Sequence, residues 1–212
     1  MFNTSKKFTI GSRKSSLARR QVEIFKDFFF QNYKNLKKDF FKEIFLTTQG
    51  DQILDKKLSK LGNKGLFTKE IDQAQLEYKI DISIHSLKDL PYKLPKGLMI
   101  CAYLKREDYR DAIVSRNNLC LSKLNKGSII GTSSLRREIQ LKKVRPDLEI
   151  KLIRGNVETR IKKVLDGEYD ATLLAMAGLN RLSIKKNIRP LSSTQFIQAP
   201  GQGIIAIVVR KN

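Results

Sequence analysis

The sequence predicts an α/β protein of two lobes, each a mixed sheet flanked by helices. Short β-rich runs alternate with helix-period segments over the whole length, the pattern of parallel or mixed sheets covered on both faces. The 212 residues are 41% hydrophobic, apolar enough to bury a sizeable core despite a formal net charge of +21. No repeat of 20–50 residues and no low-complexity linker divides the chain.

Lys7 to Gly11 reads as a strand, and Ser15 to Tyr33 as a helix with Leu17, Ile24, Phe25, Phe28 and Phe29 near helical spacing. Phe40 to Thr47 is β-rich and ends in the turn signal Thr47-Thr48-Gln49-Gly50-Asp51. The glycine-lysine loop Lys60-Leu61-Gly62-Asn63-Lys64-Gly65 precedes a helix with Phe67, Ile71 and Ala74 on one side. Ile80, Ile82 and Ile84 alternate with Asp81 and Ser83 in a strand that delivers His85-Ser86-Leu87-Lys88-Asp89 at its C-terminal end, before Pro91 and Pro95 close the segment.

The second half repeats this grammar. Asp111 to Ser115 and Ser128 to Thr132 read as strands, and Ser134 to Val144 as a helix that stops before Pro146. Leu148 to Ile153 is a strand leading to Arg154-Gly155, with Asn156 capping a helix that ends near Gly167. Asp170 to Ala175 is a further strand, followed by a short helix through Leu182, and Gly201-Gln202-Gly203 introduces the apolar strand Ile204 to Val209. Crossings between lobes are expected near Leu104 and Ser193, with the last strand returning to the first lobe.

Composition excludes several classes. The longest strictly apolar run, Ile204 to Val209, is far short of a membrane helix, and the N-terminal Met1-Phe2-Asn3-Thr4-Ser5-Lys6-Lys7-Phe8 lacks the apolar stretch of a secretory signal. Cys101 and Cys120 make neither a disulfide framework nor a metal-ligand spacing, so a soluble protein of a reducing, cytoplasmic compartment is expected. Lys and Arg total 42 against 21 Asp and Glu, an excess that invites a nucleic-acid reading. However, lysine-rich runs such as Lys34 to Lys42 read as solvated faces, and no helix-turn-helix, RNP or zinc-finger pattern accompanies them.

The arginines are more informative, because ligands of open α/β sheets collect beyond the carboxyl ends of strands, where helix N-termini also point. Arg13, Arg136, Arg137 and Arg154 follow strands, and Arg160 lies in the first turns of the next helix. With Lys60 and Lys64 they form a set suited to carboxylates or phosphates. Each arginine would equally be accounted for by pairing with an Asp or Glu. Asp89 is the conspicuous carboxylate: it either supports the turn before Pro91 or holds a developing positive charge. No Ser-His-Asp order, zinc pattern or Walker loop is present, and the lone His85 reads as structural.

Together these segments resemble the hydroxymethylbilane synthase (porphobilinogen deaminase) family. The matching blocks are Gly11-Ser12-Arg13-Lys14-Ser15-Ser16-Leu17-Ala18, Gly50-Asp51, Lys64-Gly65-Leu66-Phe67-Thr68-Lys69-Glu70 and Asp81 through His85-Ser86-Leu87-Lys88-Asp89-Leu90-Pro91. They continue through Arg106-Glu107-Asp108, Gly131-Thr132-Ser133-Ser134-Leu135-Arg136-Arg137, Arg154-Gly155-Asn156-Val157 with Arg160, Ala177 to Leu182, and Pro200-Gly201-Gln202-Gly203. The resemblance implies lobes like those of type II periplasmic binding proteins with the active cleft between them, the first comprising residues 1–103 plus 199–212 and the second 104–198. It implies a transferase of porphyrin and heme biosynthesis that condenses porphobilinogen units with release of ammonia. Asp89 would be catalytic, stabilising pyrrole-nitrogen cations and azafulvenium-like species. Arg13, Ser15, Arg136, Arg137, Arg154 and Arg160 would bind acetate and propionate groups, helped by Lys60, Lys64, Ser133 and Ser134, with Arg181 and Gln202 as weaker candidates. No metal is implied.

The resemblance also implies a dipyrromethane primer carried on a cysteine of a third, C-terminal domain, and neither Cys101 nor Cys120 matches that attachment motif. Gln49 stands where the family commonly has Arg before Gly-Asp, and Ser16 where Pro is common. Val208 and Val209 occupy a region that usually carries an acidic residue. The expectation is therefore an enzyme acting on porphobilinogen as a monomer, with its primer held without a tether or completed by a separate C-terminal polypeptide. The competing expectation is a decayed anion-binding module.

Overall fold

The computed structural model describes residues 7–53 and 65–211. In chain order the strands are β1 (Phe8–Arg13), β2 (Phe41–Leu46), β3 (Ile82–Ser86), β4 (Leu98–Tyr103), β5 (Asp111–Ser115), β6 (Ile129–Gly131), β7 (Glu149–Lys151), β8 (Ala171–Ala175), β9 (Ile188–Pro190) and β10 (Ile205–Arg210). The helices are α1 (Ser16–Asn32), α2 (Gln49–Gln52), α3 (Lys69–Leu76), α4 (Leu135–Val144), α5 (Val157–Leu165) and α6 (Met176–Arg181).

The chain divides into two compact units, one built from residues 7–52, 65–106 and 204–211 and the other from Ile53 and 107–203. The first sheet has the order β2-β1-β3-β10-β4 and the second β7-β6-β8-β5-β9. Both follow one plan. Three parallel strands lie side by side, then one antiparallel strand, then an edge strand. The antiparallel strand of each sheet, β5 or β10, is laid down as the chain arrives from the other lobe.

Local sequence explains the packing. On α1 the buried residues Ala18, Gln21, Val22 and Phe25 recur at helical spacing and place one stripe on the sheet. The first core joins Val22 and Phe25 to Ile10, Phe41, Ile84, Ile205 and Ile207. In the second lobe alternate residues of β5 go to opposite faces: Ile113 packs with Ile130, Leu141, Leu173 and Phe196, while Ala112 and Val114 pack with Leu174 and Leu179. A sheet covered on both faces requires apolar residues at every position, which is why these strands read as continuous apolar runs.

Several boundaries differ from the sequence expectation. β1 runs on through Arg13, and β3 takes in His85 and Ser86, so these residues are the ends of strands rather than the loops after them. The turn signal at Gly50-Asp51 forms the short helix α2, whose Gln49 N–H donates to Glu70 Oε1 (3.0 Å). β9 was not anticipated; it is a three-residue edge strand ending at Pro190. The second crossing falls between Gly203 and Ile204, so 199–203 belong to the second compact unit.

Candidate functional site

In the first lobe the parallel strands β1 and β3 end side by side, with Arg13 and Ser15 at and just past the end of β1 and Asp89 just past β3. Arg13 closes β1. Its guanidinium pairs with Asp51 through Nη2 and, at 3.4 Å, through Nε, and it stacks over the Phe67 ring with 4.3 Å to the centroid. Gly50 permits this packing, because a Cβ there would lie 2.4 Å from the Phe67 ring. Asp51 also accepts from the Thr48 hydroxyl (2.8 Å). Burial pushes the Asp51 carboxyl up, but Arg13 and Thr48 outweigh it and hold it below the usual carboxylate range. Ser15 is the N-cap of α1 and accepts from Ala18 N–H (3.4 Å).

His85 is buried on β3 with Nε2 lacking a hydrogen-bond partner among the described residues. Burial, reinforced by the Arg13 charge, lowers its pKa to about 4, so it is neutral near pH 7. Asp89 ends a 3₁₀ turn, Leu87–Asp89, immediately after β3. It is half-buried, and among the described residues its carboxylate has no ion-pair or hydrogen-bond partner. Lys60 and Lys64 lie outside the described residues.

The second lobe is organised around a residue the sequence analysis passed over. Asp111, the first residue of β5, is fully buried and accepts from Arg136 Nη1 (2.8 Å), Arg137 Nη2 (2.7 Å) and Gln202 Nε2 (2.9 Å). Burial alone would raise its pKa, and the two guanidiniums, Arg137 foremost, overcome that and drive it far below the ordinary value. Arg137 is itself buried and donates also to the Leu173 carbonyl (2.7 Å). Arg136, a quarter exposed, donates in addition to the Ile197 carbonyl. Gln202 spends its amide on Asp111 and on the Tyr109 carbonyl (2.8 Å). The signal for Asp111 was available: a carboxylate opening an apolar strand must be paired once buried.

Of the other expected arginines, Arg154 sits between β7 and α5, Arg160 within α5 and Arg181 at the end of α6. Arg154, past β7, is buried and donates to the Ile53 carbonyl (3.1 Å). The next residue, Gly155, has φ +112° and a position where a Cβ would meet Thr159 at 2.8 Å, so glycine is required. Asn156 caps α5 by accepting from Thr159 N–H (2.8 Å), and Arg160 donates to the Gly155 carbonyl (2.8 Å). Ser134 caps α4, and Ser133 is half-buried beside it. Arg181, at the end of α6, donates to the Gly203 carbonyl (2.7 Å). The lobe thus offers serine hydroxyls, guanidiniums and the first-turn N–H groups of α4 and α5 beyond its parallel strands, a donor set matched to carboxylates.

A protein-family model described as porphobilinogen deaminase, dipyromethane cofactor binding domain, matches residues 8–212. The chain belongs to the porphobilinogen deaminase family. It is 48% identical to the porphobilinogen deaminase of Chromobacterium violaceum over 205 residues, covering 96% of this chain and 65% of that protein. With the Bacillus subtilis porphobilinogen deaminase the identity is 47% over 206 residues, covering 96% and 64%. The chain therefore spans less than two thirds of the length of these relatives.

Solved structures extend the likeness in fold. An ancestral cationic amino acid solute binding protein aligns with a TM-score of 0.56 at 13% identity, over 98% of this chain and 83% of that one. A putative methionine-binding lipoprotein from Bacillus subtilis aligns at 0.55 and 14%, over 98% and 85%. The fold is that of type II periplasmic-binding-like proteins. Among the described residues no helix is long and apolar enough to cross a membrane, and no group of three or more His, Cys, Asp or Glu is placed to hold a metal ion.

Proposed function

We propose that this chain works as a hydroxymethylbilane synthase of the cytoplasm, joining porphobilinogen units head to tail with loss of one ammonia per addition. Membership of the porphobilinogen deaminase family supports the reaction, and the half-buried carboxylate of Asp89 just past β3, without an ion-pair or hydrogen-bond partner among the described residues, carries the chemistry. When ammonia leaves the aminomethyl carbon, positive charge spreads over the pyrrole, and a carboxylate close to the ring nitrogen stabilises it. At about 4 Å and an effective dielectric near 20 that attraction is worth about 4 kcal/mol.

A bound dipyrromethane supplies the pyrrole carbon to which the first unit is joined. Such a group carries several carboxylates, and the guanidinium and hydroxyl donors after the parallel strands of each lobe are of the kind that binds them. In this reading Arg13, Ser15, Arg154 and Arg160 orient acidic side chains, with Ser133, Ser134 and the exposed part of Arg136 assisting. Arg137 and Gln202 act behind them, since Arg137 Nη1 and Nη2 and the Gln202 amide donate to Asp111 and to carbonyls. Neither Cys101, within β4, nor Cys120, just before the 3₁₀ turn Leu121–Lys123, stands at the end of a parallel strand. We place the primer's covalent anchor in the part of the relatives that the match does not span.

The test is porphobilinogen consumption by the purified protein with and without preformed primer, together with its intact mass for a bound oligopyrrole. Turnover is expected once primer is present. Asp89→Ala should lower it by about 100- to 1,000-fold, the rate equivalent of the electrostatic figure above, while stability stays unchanged. A flat porphobilinogen titration, or full turnover in Asp89→Ala, overturns the assignment.

A further inference from the structure

Gln21 occupies a core position. It lies on the buried stripe of α1 between Ala18 and Phe25, is 3% exposed, and donates from Nε2 to Ser86 Oγ at 2.8 Å. An apolar side chain would fill that place without the desolvation cost of an amide. Ser86 is the last residue of β3 and, by strand alternation, shares the α1-facing side with Ile84, which packs against Val22 and Phe25. The Ser86 hydroxyl accepts from Gln21 and donates to no acceptor among the described residues. It is half-buried and sits three residues before Asp89, at the carboxyl end of a parallel strand where ligands of such sheets collect.

We propose that Ser86 is a ligand-contacting residue and Gln21 its positioning residue. The amide occupies a lone pair of the Ser86 oxygen and fixes its rotamer, so that the hydroxyl proton points to a carboxylate oxygen of the acidic pyrrole beside Asp89. The inference rests on the proposed function and adds to it an uncharged contact on the β3 side. A hydroxyl held in this way loses little freedom when it binds, which raises affinity. Its bond to an ionised acceptor is of the stronger kind.

The test is a calorimetric titration with porphobilinogen of the wild type, Gln21→Met, Ser86→Ala, Ser86→Thr and the Gln21→Met/Ser86→Ala double variant, with thermal unfolding of each. Ser86→Ala should weaken binding by about tenfold, as expected for one hydrogen bond to a charged group. Gln21→Met should weaken it by a similar or smaller factor, the double variant no further than Ser86→Ala alone, and Ser86→Thr should restore it. Unfolding temperatures should stay together. Wild-type affinity in Ser86→Ala overturns the proposal, and so do additive losses, since Gln21 would then not act through Ser86. Should Gln21→Met not fold, the Ala and Thr variants at Ser86 decide the matter alone. A flat titration of the wild type sinks the proposed function and this inference with it, whereas wild-type binding matched by every variant sinks this inference only.

Discussion

Asp111 shows what one carboxylate does when it is taken fully out of water. It survives as an anion because Arg136, Arg137 and Gln202 converge on it, and removing one partner of such a network leaves uncompensated buried charge. Asp111→Ala should therefore cost about 3–5 kcal/mol, measured by denaturant unfolding. The sign of its pH dependence follows from the depressed pKa. The stabilisation is present above the ordinary carboxylate value and is lost as pH falls through the lower folded-state value. Asp111→Asn, which cannot ionise, should show a shallower loss of stability on acidification than the wild type. Equal acid profiles would show that the carboxylate is not held as an anion. Asp89 is the counterpart at this scale: with no bonds to lose among the described residues, its removal should change turnover and not stability.

The helices after β1, β6 and β7 all begin on a capping side chain, Ser15, Ser134 or Asn156. Each cap satisfies an otherwise orphaned first-turn N–H and fixes where the remaining N–H groups point. Ser134 was expected from the sequence both as the start of a helix and as a ligand helper, and its hydroxyl accepts from Arg137 N–H at 3.5 Å. Ser134→Ala should cost about 1 kcal/mol in equilibrium unfolding. Ser134→Asp, another good cap, should recover that stability yet repel an acidic ligand. A Ser134→Ala variant as stable as the wild type would show the cap to be unimportant. These boundaries were legible because capping chemistry is local. β9 was not, because a three-residue edge strand is defined by its pairing with β5, a contact about 75 positions away in the chain.

At the scale of the whole molecule, β10 is the piece on which the first lobe depends. It lies between β3 and β4, and β4 has no other strand partner among the described residues. Its residues Ile205 to Val208 are all buried. Removing residues 204–212 should therefore unfold the first lobe, visible as loss of amide protection in β3 and β4 by hydrogen exchange. Retention of that protection would show that the sheet stands without its returning strand. The net charge of +21 has a different standing. Much of it is solvated lysine, such as the exposed Lys142 and Lys162, each paired with a carboxylate four positions away on its helix, and such pairs contribute little to stability.

By itself the sequence determined the alternation of strands and helices, the caps and the family, because periodicity, turn chemistry and motif order are local or linear properties. It also singled out Asp89 and the arginines that follow strands. Only the tertiary structure decided which of those arginines already have a carboxylate. Arg13 is held by Asp51, 38 positions away, and Arg136 and Arg137 by Asp111, 25 and 26 positions away. The same folding put Gln21 against Ser86, 65 positions on. Ion pairing and burial depend on distance in space, and a guanidinium bound for a ligand looks the same in a sequence as one that completes a core.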